Sequence, residues 1–189
     1  MDLVSLSAHK MYGPKGIGAL YIAKQDPAIN LAPMIHGGGH ERGYRSGTLN
    51  VPAIVGFGQA AELCIASRAP DAARVRALRD RLWTALSGAG GVHMNGPREP
   101  RLPNNLNVRV DGVHGESLLK AIAADVAVSS GAACATTSAD PSHVLRAIGL
   151  SDEEARASLR FGLGRFTTDQ EIDEAGEIVI GAVKSLRKR

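Results

Sequence analysis

Apolar positions along the chain follow two different periods, and the changes between them mark out the elements. Leu3, Val4 and Leu6 open as a short apolar run, and "GALYI" over 18–22 forms a second, with Gly13, Pro14 and Gly16 breaking regular structure between them. This predicts two strands around a glycine-rich turn. From about Lys24 to Asn50 no period holds, and glycine, proline and charge predict an extended loop. Over 51–68, apolar residues at Ile54, Val55, Phe57, Ala61, Leu63 and Ile65 fit a helix packed on two sides. Ala69, Pro70 and Asp71 interrupt it. An amphipathic helix then runs from about Asp71 to Leu86, with Val75, Leu78, Leu82 and Leu86 on one stripe.

Short strands are predicted near Val92–Met94 and Asn105–Val110, a helix through Leu118, Leu119 and Ile122, and another short strand over Val126–Val128. "HVLRAIGL" reads as a helix closed by Gly149, and Ser151 restarts one with acids in its first turn. "ASLRFGLGRFT" alternates like a strand. Thr168 and Glu171 form a capping box that opens a last helix through Ile172, Ile178, Val183 and Leu186. The alternation defines an α/β or α+β chain. The break after Arg68 divides it into segments 1–68 and 69–189.

Composition narrows the function classes. The 189 residues, 44% of them hydrophobic, suffice for one substantial core, or for one domain and part of another. Only 4% are aromatic, so bases would find few stacking platforms, and 22 basic against 19 acidic side chains leave a net charge of +3. The closing "KSLRKR" suits a solvated helix end, so direct nucleic-acid binding is not expected. No apolar run is long enough to span a membrane, and no secretory signal opens the chain. Cys64 and Cys134 are the only cysteines and form no CxxC, which points to a reducing, cytoplasmic compartment. Cys64, inside a helical pattern, reads as a small buried hydrophobe. His36 and His40 have a helical ligand spacing, but Gly37, Gly38 and Gly39 between them speak against a helix, and no structural metal site is expected.

Candidate chemistry gathers in three stretches. In "SLSAHKMYGPKGIGALYI", Lys10 follows a strand and enters a tight turn, beside the Ser7 hydroxyl and the His9 ring; Lys15 is a competing amine. A lysine so placed can form a Schiff base. In "HGGGHERGYRSGTLN", Arg45 to Thr48 offer a guanidinium, two hydroxyls and a flexible backbone, a kit for holding phosphate. In "VAVSSGAACATTSADPSHVLRAIGL", Cys134 lies among small residues, where exposure is expected and favours reactivity, while the lack of an adjacent cation leaves an inert thiol equally open. Arg160 sits in an apolar strand, where it either faces water or meets an anion.

All three stretches, with "SLRFGLGRFTTDQEID", resemble segments of the cysteine desulfurases, a group within the class-V aminotransferases. The resemblance implies that Lys10 carries pyridoxal 5'-phosphate, with Ser7 and His9 contacting it. Thr48 would reach the phosphate of the neighbouring subunit's cofactor, which requires a homodimer. The serine-serine-glycine signature before Cys134 resembles that of the subgroup with a long loop around its nucleophile. Cys134 would then bear the persulfide, and could touch an iron–sulfur cluster while sulfur is handed on. Arg160 would bind the α-carboxylate of L-cysteine.

The implied reaction removes sulfur from L-cysteine, leaves L-alanine, and feeds an iron–sulfur scaffold or another sulfur acceptor in cluster assembly or tRNA thiolation. The resemblance covers the chain almost end to end, but only as the C-terminal half of a family member. It therefore implies the C-terminal part of a fold-type-I pyridoxal-phosphate transferase. Residues 1–68 would be the end of the large-domain sheet with an interdomain helix, and 69–189 a small α+β domain carrying the nucleophile loop. Two other readings share these residues: a selenocysteine lyase, and a non-catalytic sulfur-acceptor or scaffold-binding module.

Overall fold

The structure, a computed structural model, describes residues 1–24, 29–130 and 140–188. Cys134 lies outside the described residues. The chain is mixed α/β and divides into two compact units, Met1–Ala69 and Pro70–Arg189.

In the first unit, β1 (Leu3–Ser7) and β2 (Gly18–Ile22) pair antiparallel from Leu3↔Ile22 to Ser7↔Gly18. Gly18 is required by this pairing, because a Cβ there would come within 2.5 Å of the Leu6 carbonyl oxygen. Side chains alternate across a strand, so Leu3, Leu20 and Ile22 share one face and Val4, Leu6 and Tyr21 the other. Both faces carry large apolar side chains, with Ser5 and Ser7 on the first, which suits strands covered on both sides. Yet Leu3, Leu6, Leu20 and Tyr21 are 40 to 53% exposed. The connection begins with a 3-10 turn, Ala8–Met11, capped by Tyr12 in the left-handed region at φ 64°. Ala8 is fully buried, donating its N–H to Ile17 and accepting from Gly13.

The second unit is built on a three-stranded antiparallel sheet in the order β3 (Val92–Met94), β4 (Asn105–Val110), β5 (Ser158–Gly162). Along β4 the residues alternate, with Leu106, Val108 and Val110 turned into the core, and Leu159 and Phe161 of β5 join them. That face is covered by α2 (Gly115–Ile122), by α5 (Asp169–Leu186) and by the second half of α1 (Val51–Ser87). Val75, Leu78, Leu82 and Leu86, the stripe read from sequence, are each under 5% exposed. Each such side chain contributes about 2 kcal/mol of burial free energy.

Two short helices, α3 (His143–Ala147) and α4 (Asp152–Arg156), precede β5. Gly149, at φ 97°, ends α3, with Leu150 N–H bonded to the Leu145 carbonyl. The expected capping box of Thr168 with Glu171 forms, and Ser151, where a helix was expected to restart, makes a second one with Glu154. Bonds from the cap backbone and hydroxyl hold the carboxyls of Glu154 and Glu171 below the usual glutamate range.

Two elements differ from the sequence reading. Pro70 does not end a helix, for α1 is continuous from Val51 to Ser87. Proline costs one backbone hydrogen bond, but the carbonyl it frees belongs to Ala66, which is exposed and can turn to water. The first part of α1 is also not packed on two sides: Ala53 and Ala60 are buried, while Val55, Leu63 and Ile65 are more than half exposed. Over Val126–Val128 there is no strand. The pairing starts one residue later, as a single bridge at Ser129.

Candidate active site

Lys10 is the third residue of the 3-10 turn that follows β1. The turn is held from three sides. Besides the Ala8–Gly13 bond, a Cβ on Gly13 would approach the Ala60 methyl at 3.1 Å, and the Cys64 thiol donates to the Met11 carbonyl at 3.4 Å. Cys64 is thus half-buried, a link between α1 and the turn rather than a core hydrophobe. Tyr12 at positive φ adds about 1 kcal/mol of backbone strain immediately after Lys10 and Met11, as segments at functional sites often do.

The groups around this turn are unengaged. Lys10 and His9 are exposed and Ser7 is half-buried. Ser7 occupies the cap position of the turn without using its hydroxyl to cap it. Among the described residues the Ser7 hydroxyl, the His9 ring and the Lys10 ammonium have no hydrogen-bond or ion-pair partner. An amine with a hydroxyl and an imidazole on the preceding three residues is a donor set that fits an aldehyde-bearing phosphate ester. Lys15, the competing amine, is exposed in the turn beyond Pro14.

Thr48 belongs to the same unit, at the end of an irregular loop. Residues 35–47 of this loop close on themselves. Ser46 N–H donates to the Ile35 carbonyl at 3.1 Å, and Gly39 N–H to Ser46 Oγ at 3.2 Å. Gly47 N–H donates to His40 Nδ1 at 3.3 Å, and Arg45 Nη1 to the Gly47 carbonyl at 3.2 Å. His36 and His40 therefore sit in a loop, as the glycines between them predicted. Among the described residues no cluster of three or more His, Cys, Asp or Glu is placed to hold a metal ion.

In the second unit, Arg160 sits at the middle of β5, opposite Asn107 of β4. On its other side it forms a closed pair of backbone bonds with Ser129: Arg160 N–H to the Ser129 carbonyl at 2.7 Å, and Ser129 N–H to the Arg160 carbonyl at 3.2 Å. Arg160 as a residue is half-buried, and its guanidinium has no hydrogen-bond or ion-pair partner among the described residues. Ser129 and Ser130 are the residues at which the chain enters the segment holding Cys134. The structure thus joins Ser129 to Arg160, 31 residues further along the sequence. Sequence reasoning missed this bridge. Its only signal was the short apolar run just before Ser129.

The fold and these groups define a mixed α/β protein with a lysine-bearing turn in one unit and, in the other, a guanidinium without a partner among the described residues. Residues 1–175 match the family model for Aminotransferase class-V, and the chain belongs to that family. It is homologous to cysteine desulfurase IscS, with 55% identity to that of Colwellia psychrerythraea across 99% of this chain and 46% of the relative. Identity to the IscS of an Anaeromyxobacter species is also 55%, across 100% of this chain and 46% of the relative. Among solved structures, a NifS-like protein superposes with a TM-score of 0.85 at 35% identity, over 98% of this chain and 47% of the other. The chain spans about half the length of the curated relatives it matches. Its architecture is a partial fold-type-I, NifS-like structure.

Proposed function

We propose that the chain acts as the lysine- and nucleophile-bearing half of a cysteine desulfurase. The observation that supports this most is the Ser129–Arg160 bridge, which ties the residue five positions before Cys134 to an arginine whose guanidinium has no partner among the described residues. In this reading the first unit is the end of the large-domain sheet with its interdomain helix, and the second is the small domain. Cys134 is four residues beyond Ser130, so covalent connectivity alone keeps it within about 14 Å of that residue's Cα.

Each residue then has a task. Lys10 supplies the amine that holds pyridoxal 5'-phosphate and later moves a proton from and to the substrate carbon. Ser7 and His9 orient the cofactor, and Thr48 takes the phosphate belonging to a second subunit in a homodimer. Arg160 grips the α-carboxylate of L-cysteine with two parallel N–H bonds. When bound, pyridoxal phosphate supplies the electron sink. Cys134, as thiolate, attacks the substrate sulfur; an S–S bond forms, the substrate C–S bond breaks, and its electron pair stays on carbon. Protonation there gives L-alanine, and the persulfide passes to an iron–sulfur scaffold or another acceptor protein. No described helix is long and apolar enough to cross a membrane, and a persulfide carrier suits the reducing cytoplasm.

The two-faced apolar pairing of β1 and β2, together with the half-length match, supports a further element: turnover requires the rest of the family fold. Borohydride reduction in the presence of pyridoxal phosphate, followed by peptide mapping, tests the central assignment. The expected result is one pyridoxyl group on Lys10. Labelling at Lys15 instead overturns it.

A further inference from the structure

The loop that carries Thr48 is a clasp, and a histidine closes it. Its two limbs, 35–40 and 45–47, meet through the three backbone N–H bonds of Ser46, Gly39 and Gly47. Steric fit is as tight as the bonding. A Cβ on Gly37 would approach Ser46 Cβ at 3.2 Å, and one on Gly38 would come within 2.8 Å of His40 Cε1. The glycines of "HGGGH" are therefore seats for the Ser46 methylene and the His40 ring. Ser46 is only 5% exposed, although its loop is polar and glycine-rich.

The bond from Gly47 dictates the state of the ring. An imidazole nitrogen that accepts a backbone N–H carries no proton while that bond is made, so the bond from Gly47 uses the Nε2–H tautomer of the His40 ring. The same bond fixes the plane of the peptide preceding Gly47. The peptide that follows, joining Gly47 to Thr48, is held through its carbonyl by Arg45 Nη1. Its N–H is that of Thr48, and the guanidinium beside it is exposed, with no ion-pair partner among the described residues.

We infer that His40 is a positioning residue for a phosphate-binding site made by Thr48 and Arg45: by accepting the Gly47 N–H through Nδ1 it locks the loop so that hydroxyl and guanidinium are presented together. This rests on the assignment of Thr48 to the cofactor phosphate. A bidentate guanidinium and a hydroxyl suit a phosphate monoester dianion.

The test uses the full chain with inorganic phosphate as probe, followed at the Gly47 and Thr48 amides by nuclear magnetic resonance. His40→Phe keeps a ring over Gly38 but removes the acceptor, whereas the Asn Oδ1 of His40→Asn stands where Nδ1 does. The expected result is an Nε2–H ring in the unaltered chain and Gly47 exchange about tenfold faster in His40→Phe. Phosphate binding at Thr48 should weaken by about the same factor, and His40→Asn should restore both. Unchanged Gly47 exchange in His40→Phe overturns the clasp. Faster exchange with unaltered phosphate binding overturns the positioning role. A Thr48 amide that ignores phosphate in the unaltered chain, while Gly47 still responds to the substitution, overturns the Thr48 assignment and the inference resting on it, but leaves the Lys10 and Cys134 assignments standing.

Discussion

Replacing Cys134 with serine is expected to abolish persulfide formation and sulfur transfer, a loss of at least about a thousandfold, while leaving cofactor absorbance unchanged. The argument is chemical. A serine hydroxyl has almost the same volume but no thiolate at neutral pH, and its oxygen cannot hold a transferable sulfane sulfur. Cofactor binding is assigned to Lys10, Ser7, His9 and Thr48, all in the other unit, so the spectrum should survive. The measurement is made on the chain completed with the remainder of the family fold, following labelled sulfur on protein and alanine in solution. Labelled sulfur on the serine variant would remove Cys134 from its proposed role. Loss of both sulfur and colour would make the residue structural.

The second large effect concerns folding of the 70–189 unit. Gly115, the first residue of α2, is buried, and a Cβ built there would lie 1.9 Å from the carbonyl oxygen of Arg156 and 2.9 Å from its carbon. Both contacts are backbone, so no side chain can swing aside. Gly115→Ala must push α2 away from the end of α4, and α2 carries the fully buried Leu118 and Ile122 into the core. The expected cost is about 3 kcal/mol, seen as a fall of roughly 10 °C in the melting temperature of this unit. Gly181 of α5 is the control, since a Cβ there meets nothing within 4 Å. Gly181→Ala should be neutral or stabilise by up to about 1 kcal/mol, because helical glycine gives up backbone entropy that alanine does not. If Gly115→Ala melts with the unaltered chain, α2 is not pinned by this approach.

Much of the second unit was legible because its signals are local. The β3 and β4 bounds, the Val75–Leu86 stripe, the helix start at Ser151 and the Thr168–Glu171 capping box each follow from residues a few positions apart, whose side chains decide their own backbone. The first unit was less legible. Ile54, Val55, Leu63 and Ile65 gave a helix correctly, but their burial depends on what lies against them, and periodicity carries no information about that. Pro70 misled for a related reason: its penalty is real, but small where the orphaned carbonyl faces water. The sequence pointed to Lys10, Thr48 and Arg160 one at a time. It could not show that Arg160 is stitched to Ser129, nor that His40 answers Gly47, since neither pairing leaves a periodic trace. The glycines argued against metal ligation at His36 and His40, but spacing could not indicate the partner His40 has, the backbone N–H of Gly47.

The antiparallel ribbon of β1 and β2 has a consequence for how such a chain behaves in solution. Two short strands with greasy side chains above and below satisfy each other's inner backbone groups; among the described residues no strand pairs with their outer N–H and C=O rows, which can recruit an extended peptide. Kept apart from a complementary strand, the ribbon is a template for sticky, concentration-driven oligomers, and yield after expression would track how quickly that template is capped.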